Sequence, residues 1–215
     1  MFIYHFVLRF ARSGNVHLDL RASASNGSAM RPVTTMVISP VAPADDHDSR
    51  HSSLRASILE HLFLGQLLRE LWRRGDRNIE LLRAEVDASG YDIVLACNNQ
   101  VRYIQLKTSH SKAKTRAVPI NVGLRDRPGG CVIWIKFDRT EMTLGPFLWF
   151  GGTPGEGLPP LGNQMGRHTR RAGGRDRGER PAIRVLNKND FTKIETIPDL
   201  IIALFGHSSG SDIYR

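Results

Sequence analysis

Two short polar turns, DASG (87–90) and NNQ (98–100), separate three short apolar runs: IELLRAEV (79–86), YDIVLAC (91–97) and VRYIQLKTS (101–109). Turns this short join only strands that lie side by side and run antiparallel. The chain is thereby committed to a three-stranded meander. Ahead of it, SLRASILEHLFLGQLLRELWRRG (53–75) carries apolar residues at 54, 58, 62, 64, 67, 68, 71 and 72. That recurrence is the period of an amphipathic helix. Ser52 or Ser53 offers an N-cap, and Gly75 with Asp76 a stop.

Beyond the meander comes a basic segment, HSKAKTRAVPINVGLRDRPGG, followed by two runs that read as buried strands, CVIWIKFD (131–138) and PFLWFGG (146–152). Residues 151–182 are rich in Gly, Pro and Arg and are expected to be mostly loop. A short strand (182–186) and a terminal helix entered at Ile197–Pro198 complete the pattern. The expected class is α/β, a β-sheet with helices, one of them C-terminal, in one domain spanning 51–215. Residues 1–50 have weak periodicity and mix Ser, Ala, Arg and Pro. They read as a flexible leader with one short strand at 34–39.

The net charge of +9 calls for an anionic partner, nucleic acid before an acidic membrane surface. Two cysteines, Cys97 and Cys131, are too few for a disulfide framework or a cysteine zinc site. Both fall in apolar runs, as buried free thiols would. No apolar stretch reaches the ~18 residues that span a bilayer. At the start, MFIYHFVLRFARSG places Arg9 and Arg12 after its apolar part, the reverse of a secretory signal. The expectation is a cytoplasmic protein with no membrane partner.

Three polar residues stand out in the meander. Strand side chains alternate between faces, so Tyr103, Gln105 and Lys107 share one face, while Ile104 and Leu106 share the other. Asp92 opens the neighbouring strand. On the helix, Glu60 aligns with Leu64, Leu67 and Leu71, the stripe expected to press on the sheet, where an acid needs a partner. A metal ion or Lys107 would supply one. The set suits metal-assisted phosphodiester hydrolysis. Mg²⁺ prefers hard oxygen ligands and keeps several waters. Asp92 and Glu60 would give carboxylates and Gln105 its amide oxygen. Lys107 would lower the attacking water's pKa or steady the phosphate.

A helix bearing Glu, a strand, then Gly-Tyr-Asp-Ile-Val-Leu, then Tyr-Ile-Gln-Leu-Lys resembles the PD-(D/E)xK, or restriction-endonuclease-like, nuclease superfamily. The resemblance covers residues 54–138. Gln105 stands where the commonest form has Glu, and this Gln-x-Lys version is similar to Mrr-type endonucleases. The resemblance implies a restriction-endonuclease-like core, a mixed β-sheet flanked by helices, and Mg²⁺- or Mn²⁺-dependent cleavage of DNA, less often RNA. It carries over Asp92, Gln105 and Lys107 as the core site and Glu60 as the helix acid, with metal ligands Asp92, Gln105 and Glu60. The rival reading is a decayed nuclease-like fold that only binds nucleic acid.

Lys112, Lys114 and Arg116 directly follow the Gln-x-Lys strand and would flank such a site. Seven arginines lie between 167 and 184, among them Arg170 and Arg171. They read as a phosphate-gripping loop, against the plainer alternative of a solvated one. A homodimer is compatible with this reading.

Overall fold

The computed structural model describes residues 3–10, 16–23, 36–38, 51–84, 89–167 and 178–207, with side chains from 51 onward. The chain divides into two units, Met1–Ser49 and Arg50–Arg215. In the first, β1 (Ile3–Phe10), β2 (Val16–Ser23) and β3 (Met36–Ile38) form an antiparallel sheet in the order β1-β2-β3. The sequence suggested a flexible leader there. It suggested only the strand at 34–39, within which β3 falls. The long runs 3–10 and 16–23 carry the β-branched, aromatic and alternating residues that favour strands.

The second unit opens with α1 (Ser52–Arg73). Its N-cap is His51, whose side chain makes no capping bond, so neither Ser52 nor Ser53 caps it. Strands β4 (Ile79–Arg83), β5 (Ile93–Cys97) and β6 (Gln100–His110) then form the expected antiparallel meander. After β6 the chain leaves the sheet. It forms β7 (Ala117–Asn121) and a short 3₁₀ turn, Val122–Asp126, then returns as β8 (Gly130–Phe137), parallel to β6. A parallel neighbour requires such a crossover. β9 (Leu144–Gly151) and β12 (Thr192–Ile194) extend the sheet, giving the order β12-β9-β8-β6-β5-β4. The basic segment is therefore not all loop, since it holds β7. The Gly/Arg-rich stretch likewise contributes β10 (Met165–Arg167) and the first residues of β11 (Glu179–Asn187), and β10-β11-β7 form a second, antiparallel sheet.

The large mixed sheet has a core on each face. On one, Leu59, Phe63, Leu64, Leu67 and Leu71 of α1 are buried, and α2 (Ile197–Phe205) adds Leu200, Ile201 and Leu204. All of these but Leu59 share one cluster with Ile93, Leu95, Ile104 and Ile133. Of the apolar residues counted into the helical stripe, Leu54, Ile58, Leu62 and Trp72 are exposed. On the other face, Val118, Ile120 and Leu186 of the small sheet pack on Val132, Trp134 and Leu148. With both faces covered, every residue of β8 is buried, as its unbroken apolar run requires. No helix among the described residues is long and apolar enough to cross a membrane.

Candidate functional site

The alternation of β6 divides its side chains between the two cores. Arg102, Ile104 and Leu106 face the helices. Tyr103, Gln105, Lys107 and Ser109 face the small sheet. Gln105 is 3% exposed and its Oε1 accepts the Asn121 N–H of β7 at 3.4 Å, a long bond. Gln105 and Lys107 line a cleft of about 520 Å³, whose other wall is made by Asn121 of β7 and Glu179, Arg180 and Ile183 of β11.

Asp92 lies one residue before β5. The register that sets Ile93 opposite Ile104 puts Asp92 level with Gln105. Its backbone is held on both sides: its N–H donates to the Ile104 carbonyl at 2.9 Å, and its carbonyl accepts the Ala84 N–H at 3.0 Å. The carboxylate Oδ2 accepts the Leu106 N–H at 2.6 Å. A side-chain oxygen thus takes the place of a strand partner where the regular ladder stops. That bond fixes the carboxylate beside the strand carrying Gln105 and Lys107, although Asp92 is not itself a wall of the cleft.

Glu60 is a correction. It sits on α1, on the opposite face of the sheet from Gln105 and Lys107, and its Oε1 pairs with Arg83 Nη2 of β4 at 2.5 Å. The acid on the helical stripe found its partner in the edge strand, not in Lys107 or a shared metal site. Lys112, Lys114 and Arg116 are exposed and line no part of the cleft. The Glu141 and Thr140 N–H groups, and after them the charge of Lys112, hold the Asp138 carboxyl below its ordinary range. Arg170 and Arg171 lie outside the described residues.

Arg180, Glu179 and Asn121 form the wall that sequence reading missed. Arg180 was visible only as one of seven arginines. Nothing local marks it as the one brought opposite Gln105, because β11 reaches the cleft through its pairing with β7 (Ile183 opposite Asn121).

Among the described residues no three His, Cys, Asp or Glu side chains gather into a metal-binding group. What the site offers a cation is one carboxylate and one amide oxygen beside an open cleft. That fits Mg²⁺, which binds through one or two carboxylates and fills its remaining positions with water and substrate phosphate. It does not fit a closed all-protein cage. Comparison with known protein families, curated proteins and solved structures finds no significant match.

Proposed function

We propose that the chain is a nuclease with a restriction-endonuclease-like core, hydrolysing phosphodiester bonds of DNA with Mg²⁺ or Mn²⁺. The observation that carries this reading is the grouping of Asp92, Gln105 and Lys107. Gln105 and Lys107 stand on one wall of an open cleft, and the Asp92 carboxylate is tied to the residue between them. The connectivity supports it as well: helix, three antiparallel strands, a crossover, then a strand parallel to the third.

Asp92 and Gln105 would hold the cation. When bound, such an ion lowers the pKa of its water and neutralises charge building on the phosphate. Lys107 is a point charge suited to steadying a phosphoryl oxygen, and Arg180, which lines the same cleft, to gripping a phosphate through a planar fork. Gln105 lacks the charge a Glu would bring, so the site binds cation weakly and depends on substrate phosphate to complete it.

The test is cleavage of plasmid and single-stranded DNA in Mg²⁺ or Mn²⁺. Wild type nicks DNA, while Asp92→Asn and Lys107→Met do not. A wild type inert on both substrates, with no Asp92-dependent Mn²⁺ binding, rejects the reading.

A second reading is favoured by a specific pair of observations: Glu60 is engaged by Arg83, and Asp92 already serves Leu106. On this reading the fold is a decayed nuclease that binds nucleic acid without cutting it. Binding then needs no metal, weakens with salt and survives Asp92→Ala.

A further inference from the structure

Two residues beyond Lys107, on the same face of β6, Ser109 lies opposite Lys136 of β8. Its Oγ accepts from Lys136 Nζ at 2.7 Å and from Trp134 Nε1 at 2.9 Å. A hydroxyl has two acceptor lone pairs and one hydrogen. Both lone pairs are taken, so the O–H remains to donate, and Ser109 is only half-buried. Lys136 is 6% exposed, with Nζ 3.9 Å from the centre of the Trp134 ring.

The charge of a second lysine, Lys188, acts on the same place. Lys188 is exposed and begins a short 3₁₀ turn, Lys188–Asp190. The next residue, Phe191, packs edge-on against Trp134 with ring centres 5.6 Å apart. The Lys188 N–H donates to the Arg116 carbonyl at 2.7 Å. Burial, and then the charge of Lys188, lower the pKa of Lys136. Neither lysine has a carboxylate partner among the described residues. Asp190, two residues from Lys188, turns its Oδ2 back to the Asn187 N–H at 2.6 Å, and Asp138, two residues from Lys136, accepts the Thr140 and Glu141 N–H groups at 2.8 and 2.9 Å.

The cluster is thus the Lys136 ammonium, within reach of the charge of Lys188, and a hydroxyl left to donate, with no acid beside them among the described residues. Desolvation and like charge both oppose that arrangement, and an anion relieves both. We infer that Lys136, Ser109 and Lys188 form a phosphate-binding subsite beside the Gln105–Lys107 cleft, taking a second phosphate of the same nucleic-acid strand. This rests on the reading of the cleft as a nucleic-acid site. Ser109 lies about 7 Å along β6 from Lys107 at the rise of an extended chain. The contact is to backbone phosphate, so it adds affinity without sequence preference.

The test is fluorescence anisotropy of the full chain with a short labelled single-stranded DNA, in EDTA, over a salt series. Lys136→Met keeps the packing on Trp134 and removes the charge. Lys188→Ala alters an exposed side chain, so it carries the test even where the first variant fails to fold. Each variant weakens binding several-fold and flattens the dependence of log K on log salt by about 0.7, the value of one lost phosphate contact on a single strand. Inorganic phosphate, added at matched ionic strength against chloride, displaces no extra DNA. Unchanged affinity and slope in the folded variants overturn the subsite and leave the cleft's reading standing. Displacement specific to inorganic phosphate, lost in either variant, reassigns the cluster to a free ion and overturns the nucleic-acid assignment. A wild type that binds no nucleic acid overturns both readings.

Discussion

At Gly90 the backbone φ is +78°, and a Cβ placed there would stand 2.4 Å from the Cβ of Asn121. Asn121 in turn gives its N–H to Gln105. The approach of the turn before Asp92 to β7 therefore depends on a missing methyl group. Gly90→Ala is expected to cost about 1–3 kcal/mol from backbone strain, with the clash added. It should also depress any DNA cleavage by moving Asp92 relative to Gln105. Urea unfolding and a nicking assay on the same preparation check both. The two thiols behave differently from anything in the cleft. Burial raises Cys97 to about 11 and Cys131 to about 12, and both are free. The thiolate is the reactive form. At pH 8 native protein should resist alkylation at both positions, while protein in denaturant should take up two labels, as mass spectrometry reads. Rapid labelling of either cysteine in the native state would contradict the buried placement.

Among the elements, the last turn of α2 is held by a buried arginine. Arg102 is fully buried on β6, and its Nε donates to the Leu204 carbonyl at 2.6 Å and its Nη2 to Ala203 at 3.1 Å. Nη1 reaches the Gly152 carbonyl at 3.1 Å. A cation at the last turn satisfies carbonyls that lack helical partners and opposes the negative end of the helix dipole. Arg102→Met is expected to lower stability by about 2 kcal/mol or more, since buried carbonyls are left unpaired. A denaturation midpoint equal to wild type would refute that. The α1–β4 contact carries less. Glu60 and Arg83 are 27% and 49% exposed, so their ion pair is worth about 0–1 kcal/mol. Glu60→Gln should leave both stability and any metal-dependent cleavage near wild type, in contrast to Asp92→Asn. Loss of cleavage in Glu60→Gln would return Glu60 to the site. The helix and the meander were legible because helical and strand periods are written locally. The N-cap was not, because two adjacent serines suggest a cap while the chain enters the helix one residue earlier.

At the scale of the molecule, one mixed sheet is covered by two helices on one face and by β10-β11-β7 on the other. Among the described residues, both cores are drawn from between Leu59 and Leu204. By itself the sequence determined the long helix, the antiparallel meander after it, the two buried strands β8 and β9, and the terminal helix. It also determined that Gln105 and Lys107 share a face with Asp92 beside them. These follow from turn length and backbone periodicity, which are properties of neighbouring residues. Only the tertiary structure decided what lies across from that face. It set β7, from a segment read only as basic, and β11, of which 182–186 alone read as strand, against Gln105 and Lys107, and let the charge of Lys188 act on Lys136. It also turned Glu60 to the other side of the sheet. A strand's alternation fixes which side chains leave together, but the surface they meet is supplied by segments far away in sequence. Which segment arrives depends on burying two apolar faces at once, and no local pattern records that choice.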